Sequence, residues 1–485
     1  MENNLFNSPG YILAKDYVND IRQMQKNGPW KLPLGVGDRF HIFLLSLFLK
    51  FSWFKDIYIK YPHDHSPAYD IIINFLKRNK ILSGVIKLSS ASYWGINIYV
   101  SHLFNGEVLL VKSTGHHKES DIALSKTIGE LIERAVSGVR DENNNFIFGS
   151  FNELKTKYKN IFYPPVYHRF LPQQKDLFKD LRVDDDQEME WVKGFNFLTS
   201  EVALIPKNIT SWRRKRNIIT MNPTTSGSAG GFSKEDVIKN SILEYIERDS
   251  FLIHWLTQIA PKVISNESLP EDLFLYIKGF NSIGISAYVL DTTTNVGIPS
   301  ACVVVRKNNL NKKSVAVSGG AGIDLHTAIK RALEEAQQCV FNLDKNESGT
   351  KVSDVKPFIS EIDREERIRM WQGEEWVKLF EWFISGDVIE YKNDNNLVLE
   401  TKDEITFLKN VFSKLGSEYT PFIYFPKNKA MEKLGFQVAQ AFIPFCFPLF
   451  LVEKYGTFDS DRLKQFAKYK GVDNFKLNPY PHPFP

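Results

Sequence analysis

Apolar positions in three stretches of this chain recur every three to four residues, the period of an amphipathic helix. In the first, Leu124, Ile128, Leu131, Ile132 and Ala135 fall on one face, with Lys126, Glu130 and Glu133 opposite. In the second, Ile238, Ile242, Tyr245 and Ile246 form the apolar face, opposite Asn240, Glu244 and Glu247. In the third, Ile329, Ala332, Leu333 and Ala336 face away from Arg331, Glu335 and Gln338. Each polar face has the form polar-x-x-x-Glu-x-x-Glu/Gln. Each stretch follows small or glycine-bearing polar residues, "STGHHKES", "TTSGSAGGFS" and "SGGAGID". The pattern predicts a polar loop and then a helix, three times over.

Elsewhere the period is two. "GVIKLSSASYWGINIYVSHL" from Gly84 alternates and predicts strands, and "NGEVLLVKS" continues them as a hairpin. "ISAYVLDTTTNVGIPSACVVVRK" predicts two strands around a turn, and "WQGEEWVKLFEWF" an amphipathic helix. "VDDDQEMEW" is a surface loop or helix start. Residues up to about Lys80 mix helix and strand patterns without a nameable chemistry. The fold class is α+β.

Two apolar runs bear on membranes. "FHIFLLSLFLKFSWF" from Phe40 is too short to span and contains Lys50, so it predicts a buried helix. "VAQAFIPFCFPLFLV" from Val438 contains Gln440, Pro444 and Pro448, and predicts a core strand entering a turn. The N-terminus lacks the basic and apolar regions of a signal peptide. The reading is a soluble, cytoplasmic chain with no membrane role.

A length of 485 residues exceeds one ordinary domain. With 61 basic against 57 acidic residues, the balance does not suggest a nucleic-acid binder, and "RRKR" at 213–216 reads as a solvated loop. Cys302, Cys339 and Cys446 are scattered singly, which excludes a Cys-x-x-Cys zinc site or a disulfide framework and fits a reducing compartment.

The chain writes Glu-x-x-Glu-Arg twice, at Glu130–Arg134 and Glu244–Arg248. One reading is a solvated face with i,i+4 pairs of roughly 0.2–0.5 kcal/mol each. The other is convergence of Glu130, Glu133, Glu244, Glu247 and Glu335 on one cavity. Close carboxylates repel by roughly 4 kcal/mol per pair at an effective dielectric of 20. Such a cluster requires cations, and oxygen ligands beside phosphate favour Mg²⁺.

At these residues the chain resembles the YcaO family of ATP-dependent enzymes that modify peptide backbone amides. The resemblance runs from about Leu82 to Pro485. It rests on "SKTIGELIER", "SAGGFSKEDVIKNSILEYIERD", "LDTTTNVGIP", "SGGAGIDLHTAIKRALEEAQQ" and the proline-rich end, in the family's order. It implies a YcaO-type fold over 82–485, with residues 1–81 as an extension available for partner docking. It implies ATP and Mg²⁺ as cofactors, with Glu130, Glu133, Glu244, Glu247 and Glu335 on the metal and Arg248 and Arg331 on the nucleotide. Asp236 stands where the family usually has Glu and is expected to join the nucleotide site through a water-bridged cation; Phe232 stands where the family has Asn, and Gly115 is followed by His116 and His117 rather than by Gly-x-Gly. The paired histidines read as loop residues rather than metal ligands.

The chain closes on Pro479-Tyr-Pro481-His-Pro483-Phe-Pro485. On composition it is a solvated polyproline segment with few residues able to fill a core. Its removal is then expected to cost activity rather than stability. The alternating prolines are similar to those of azoline-forming family members, which implies cyclodehydration of Cys, Ser or Thr in a precursor peptide. The Pro485 carboxylate and His482 are then candidates for proton handling. The same resemblance implies a separate E1-like leader-binding partner and a flavin-dependent azoline oxidase, and leaves a homodimer open. Thioamide or amidine formation, or a non-catalytic scaffold, are the alternatives.

Overall fold

A computed structural model describes residues 72, 82–87, 97–105, 108–117, 119–138, 146–162, 170–177, 185–211, 224–309, 312–343, 349–362, 364–393, 403–450, 452–456, 458 and 460–484. The expected N-terminal extension, except Ile72, lies outside the described residues. So do the apolar run from Phe40, the basic run at 213–216, and Pro485. The chain divides into two compact units, Met1–Val136 with Asn428–Phe436, and Ser137–Lys427 with Gln437–Pro485.

In the first unit, β1 (Leu82–Lys87), β2 (Asn97–Asn105) and β3 (Val108–His117) form an antiparallel meander. Helix α1 (Ser120–Gly138) follows. Leu124, Ile128, Leu131 and Ile132 are buried as the period requires, whereas Ala135 is half-buried.

The second unit holds two sheets. Strands β4 (Ile147–Gly149), β5 (Asn160–Ile161), β6 (Met189–Asn196), β7 (Val202–Pro206), β8 (Ser228–Gly231), β14 (Phe422–Tyr424) and β15 (Gln437–Phe442) make a seven-stranded sheet. Its order is β5-β7-β6-β14-β15-β8, with β4 on β6. Strands β9 (Lys262–Ile264), β10 (Ile285–Asp291), β11 (Ser300–Asn309), β12 (Lys312–Ala321) and β13 (Val388–Ile389) make a five-stranded sheet in the order β12-β11-β10-β9-β13.

Helix α2 (Lys234–Thr257) joins the two cores of this unit. Ser233 caps its start, accepting from the Asp236 amide at 3.2 Å. Its first half buries Val237, Ile238, Ile242 and Ile246 with Ala439 and Ala441 of β15. Its second half is buried all round, and Phe251, Trp255 and Leu256 enter an aromatic core with Val304 of β11 and Val317 of β12. Helix α3 (Leu325–Cys339), capped by Asp324, packs on β12 and β11 with Ile329, Ala332, Leu333 and Ala336 inward. Helices α4 (Arg364–Met370), α5 (Glu374–Phe380) and α6 (Asp461–Tyr469) close the aromatic side. Among the described residues, no helix is long and apolar enough to cross a membrane.

Two expectations are corrected. The small-residue runs are not loops before helices. Ser113–His117 end β3, Ser228–Gly231 form β8, and Ser318–Ala321 end β12. In β3 and β12 the glycines admit helix backbone rather than flexibility. A Cβ on Gly115 would come within 3.0 Å of the Ala123 carbonyl and Thr127 amide of α1, and one on Gly320 equally close to the Ala328 carbonyl and Ala332 amide of α3. The offsets are the same, and so is a bond beside them. Ser113 Oγ donates to the Thr127 carbonyl at 2.7 Å and Ser318 Oγ to the Ala332 carbonyl at 2.8 Å, each fourteen residues on. A strand ending in Ser-x-Gly under a helix is thus built twice, once in each unit. By that register Glu130 corresponds to Glu335, and Lys126 to Arg331.

The proline-rich segment is also not a solvated rod. Asn478, His482 and Phe484 are buried, and Phe484 belongs to the aromatic core. The intervening aromatics, read as too few to fill a core, complete one formed by residues distant in sequence.

Candidate functional site

The polar face of α2 and that of α3 carry a connected set of charges in the second unit. Arg248 is its hub. Its Nη2 donates to Glu244 Oε1 at 3.2 Å, and its Nη1 lies 3.0 Å from Glu247 Oε1. The helix itself places these groups, because Glu244 precedes Arg248 by one turn. Arg331 of α3 donates from Nη2 to Asn240 Oδ1 and from Nη1 to the Ala321 carbonyl, both at 3.1 Å. Its charge also acts on Glu247, and the charge of Glu335 acts on Arg248. The five expected residues of this unit, Glu244, Glu247, Arg248, Arg331 and Glu335, therefore form one electrostatic cluster.

Burial pushes the Glu247 carboxyl above the usual range, Arg248 pulls it back, and Glu244 adds to the rise. Arg248 loses hydration, but Glu247 and Glu244 hold it protonated. Three carboxylates against two guanidiniums leave the ionised cluster one negative charge. Glu247 lies directly over Gly319 of β12, where a Cβ would come 2.8 Å from its Cγ. That strand glycine is the space in which the carboxylate sits.

The arrangement fits a magnesium nucleotide. Glu247 Oε1 is buried and receives no aligned hydrogen bond, despite its ion-pair approach to Arg248. Such an oxygen favours a cation. Among the described residues, no group of three or more His, Cys, Asp or Glu is arranged to hold a metal by itself. Mg²⁺ needs no such cage, since it is usually held by one or two carboxylates together with phosphate oxygens and water.

Four further expected residues are described outside this set of five. Glu130 belongs to the first unit, where Oε2 accepts from the Thr114 amide at 3.1 Å and Oε1 pairs with Arg134. Glu133 is half-buried on the same helix. Asp236 is 59% exposed and pairs with Lys239 at 2.9 Å, while Lys239 also binds Glu404. His482 is fully buried, its Nε2 against Arg367 and 2.8 Å from the Phe450 carbonyl. Burial and Arg367 hold its pKa well below the usual value. The three cysteines are buried, which leaves no thiol nucleophile at the surface.

A family model for the ATP- and Mg²⁺-binding YcaO cyclodehydratases matches residues 114–445. The chain belongs to the YcaO family. Among solved structures, a heterocyclase in complex with substrate and cofactor is similar at a TM-score of 0.67, with 16% identity over 88% of this chain and 58% of that one. The YcaO protein of Methanopyrus kandleri bound with AMPPCP and Mg²⁺ is similar at 0.56, with 14% identity over 80% and 92%. The Escherichia coli microcin synthetase McbBCD complex with pro-MccB17 bound gives 0.52 at 14% identity. These are likenesses of fold. An uncharacterised protein of Methanothermobacter thermautotrophicus is 24% identical over 161 residues, 32% of this chain and 42% of its own. The chain thus spans about half the length of the first relatives it matches. The α+β expectation holds, and the YcaO match carries ATP and Mg²⁺ with it.

Sequence reasoning missed a clamp one residue beyond Arg248. Asp249 is fully buried and takes Arg462 of α6 at 2.6 and 3.2 Å, while its other oxygen accepts from the Phe447 amide at 2.9 Å. Arg462 also donates to Thr294 Oγ1 at 3.2 Å and binds Asn295, in the turn between β10 and β11. This clamp ties α2, which carries Glu244, Glu247 and Arg248, to α6 and to the turn before β11. The acidic letter was visible, but its partner 213 residues away was not.

Proposed function

We propose that this chain catalyses ATP-dependent cyclodehydration of Cys, Ser or Thr residues in a ribosomal precursor peptide. The substrate side chain attacks the preceding amide carbonyl, the ring closes as thiazoline or oxazoline, and the peptide loses the elements of one water, which leave in phosphate as ATP becomes ADP. ATP supplies the phosphoryl group that leaves with the former amide oxygen as phosphate. One or two of the carboxylates of Glu244, Glu247 and Glu335 would hold Mg²⁺ together with phosphate oxygens, while Arg331 and Arg248 would offset charge on the phosphates. Glu130, which occupies in its repeat the position of Glu335, and Glu133 are the cation-binding candidates of the first unit. Asp236 contributes at most through water, given its exposure and its Lys239 pair.

The observation that carries this reading is Phe484 of the proline-rich segment, whose ring lies 4.5 Å from the Arg248 guanidinium carbon. A segment of that kind at the charged cluster favours azoline formation over other amide chemistry. The related complexes support a peptide substrate, since one heterocyclase holds substrate and cofactor and one microcin synthetase holds pro-MccB17. From the family resemblance, the chain is proposed to work with a separate E1-like leader-binding protein, with a flavin-dependent oxidase acting afterwards. The test is mass spectrometry of a Cys-, Ser- and Thr-rich peptide incubated with the chain, that partner, ATP and Mg²⁺. Loss of one water per ring is expected. Replacement of oxygen by sulfur would assign thioamide formation instead, and no ATP-dependent change would leave a scaffold.

A further inference from the structure

The proline-rich segment runs along α2 against the direction of the helix, and each step of its path is fixed by a contact. The Asn478 amide donates to the Leu256 carbonyl at 2.9 Å. Trp255 Nε1 donates to the Tyr480 carbonyl at 3.0 Å. The His482 ring stands edge-on to Phe251 at 6.1 Å and to Phe450 at 4.9 Å. The Phe484 ring packs on Phe251 at 4.9 Å and reaches Arg248. The partners along α2 are thus 256, 255, 251 and 248, a descent of about two turns.

His482 is the anchor of this path. It meets the buried Arg367 of α4, and Arg367 pairs with the buried Glu453 at 2.9 Å. Proline pre-sets the backbone of the segment, so little entropy is lost in holding it there. What it delivers, among the described residues, is one aromatic face on one guanidinium. That guanidinium bridges two glutamates of the same cluster.

We infer that Phe484 is a positioning residue, whose ring holds Arg248 in the orientation that bridges Glu244 and Glu247. An aromatic face attracts a guanidinium and restricts it without competing for its N–H donors. All five donors then remain for carboxylate and phosphate oxygens. An aliphatic side chain would fill the same space without that attraction. This assignment rests on the reading of the cluster as a magnesium-nucleotide site, but its geometry does not require nucleotide.

The test compares Phe484→Leu, Phe484→Met and Phe484→Trp in the full chain, each first shown to melt cooperatively near the wild-type temperature. Two readouts are taken. Binding of ATP with Mg²⁺ by calorimetry is expected to weaken about tenfold in the Leu and Met variants and to be kept in Trp. Labelling of Arg248 by phenylglyoxal without nucleotide, followed by peptide mass mapping, is expected to accelerate in Leu and Met and not in Trp. In Arg248→Lys, adding Phe484→Leu should cause no further loss of binding, because both act through one contact. Wild-type labelling in the Leu and Met variants, or losses that add in the double variant, would overturn the inference. Faster labelling in a chain whose wild type binds no ATP would leave Phe484 in its role and sink the nucleotide reading alone.

Discussion

Arg331 on α3 and Asn240 on α2 are joined by a 3.1 Å hydrogen bond from Nη2 to Oδ1. The bond ties the two helices that carry the charged cluster of the second unit. The other arm of Arg331 is spent on the Ala321 carbonyl at the end of β12. A planar fork satisfies both at once, which the single ammonium of lysine does not.

Arg331→Lys is therefore expected to lower ATP turnover about 100-fold, on the scale of losing one preorganised donor. Asn240→Ala should lower it much less, since Arg331 keeps its Ala321 bond. Phosphate release, with thermal melts of both variants, checks this. Full turnover by Arg331→Lys would remove the residue from the site.

Glu247→Gln separates stability from function. Burial raises the Glu247 pKa, so the folded state favours its protonated form. That contribution is complete below the unfolded carboxyl value and is lost as pH rises through the raised value in the folded state. The neutral amide should then gain on the wild type in melting temperature as pH rises, while ATP turnover collapses. Melts at about pH 5 and about pH 8 against the usual carboxyl pKa of about 4.3 read this directly. A gap that narrows toward high pH would contradict the assigned shift.

The glycines of β12 predict two distinct losses. Gly320→Ala places a Cβ against the α3 backbone and should destabilise the chain by roughly 1–3 kcal/mol. Gly319→Ala meets the Glu247 side chain instead, which can move. It should cost less stability and more ATP turnover. Denaturant titration and phosphate release on both variants separate the two effects, and equal losses in both would refute the distinction.

His254 makes the fold sensitive to acid. It is fully buried in α2, its Nδ1 donates to the Ile259 carbonyl at 2.7 Å, and its Nε2 has no partner. Burial lowers its pKa to about 3. A depressed value gives stability that is present above the unfolded value and lost as pH falls toward the folded one. The window is therefore about pH 6.5 down to about pH 3. Glu453, raised by burial to about 7, works in the opposite sense over its own range. His254→Asn keeps a donor near Ile259 and should flatten the fall of melting temperature between pH 6.5 and 5. An unchanged slope would show that other groups govern it.

The core faces of α1, α2 and α3 were legible because helical periodicity is local. Ile242, Leu131 and Leu333 could be placed inward from their neighbours alone. The charged offset was legible for the same reason, since Glu244 and Arg248 are one turn apart whatever the tertiary fold. Family resemblance extended that reading to ATP and Mg²⁺, which periodicity alone had left open.

What the tertiary structure decided depends on partners far along the chain. Ser113-Thr114-Gly115 and Ser318-Gly319-Gly320 read as flexible loops because small polar residues favour turns. Pairing with β2 and β11, and the close approach of helix backbone, made them strand ends. Asp249 acquired meaning only from Arg462, and Phe484 only from Arg248. The proline-rich segment looked solvated because prolines alternating with Tyr, His and Phe have no hydrophobic period. It is buried because α2 presents Trp255 and Phe251 for it to cover. Periodicity is carried by neighbouring residues, whereas burial of a segment without it is decided by surfaces that exist only after the rest of the chain has folded.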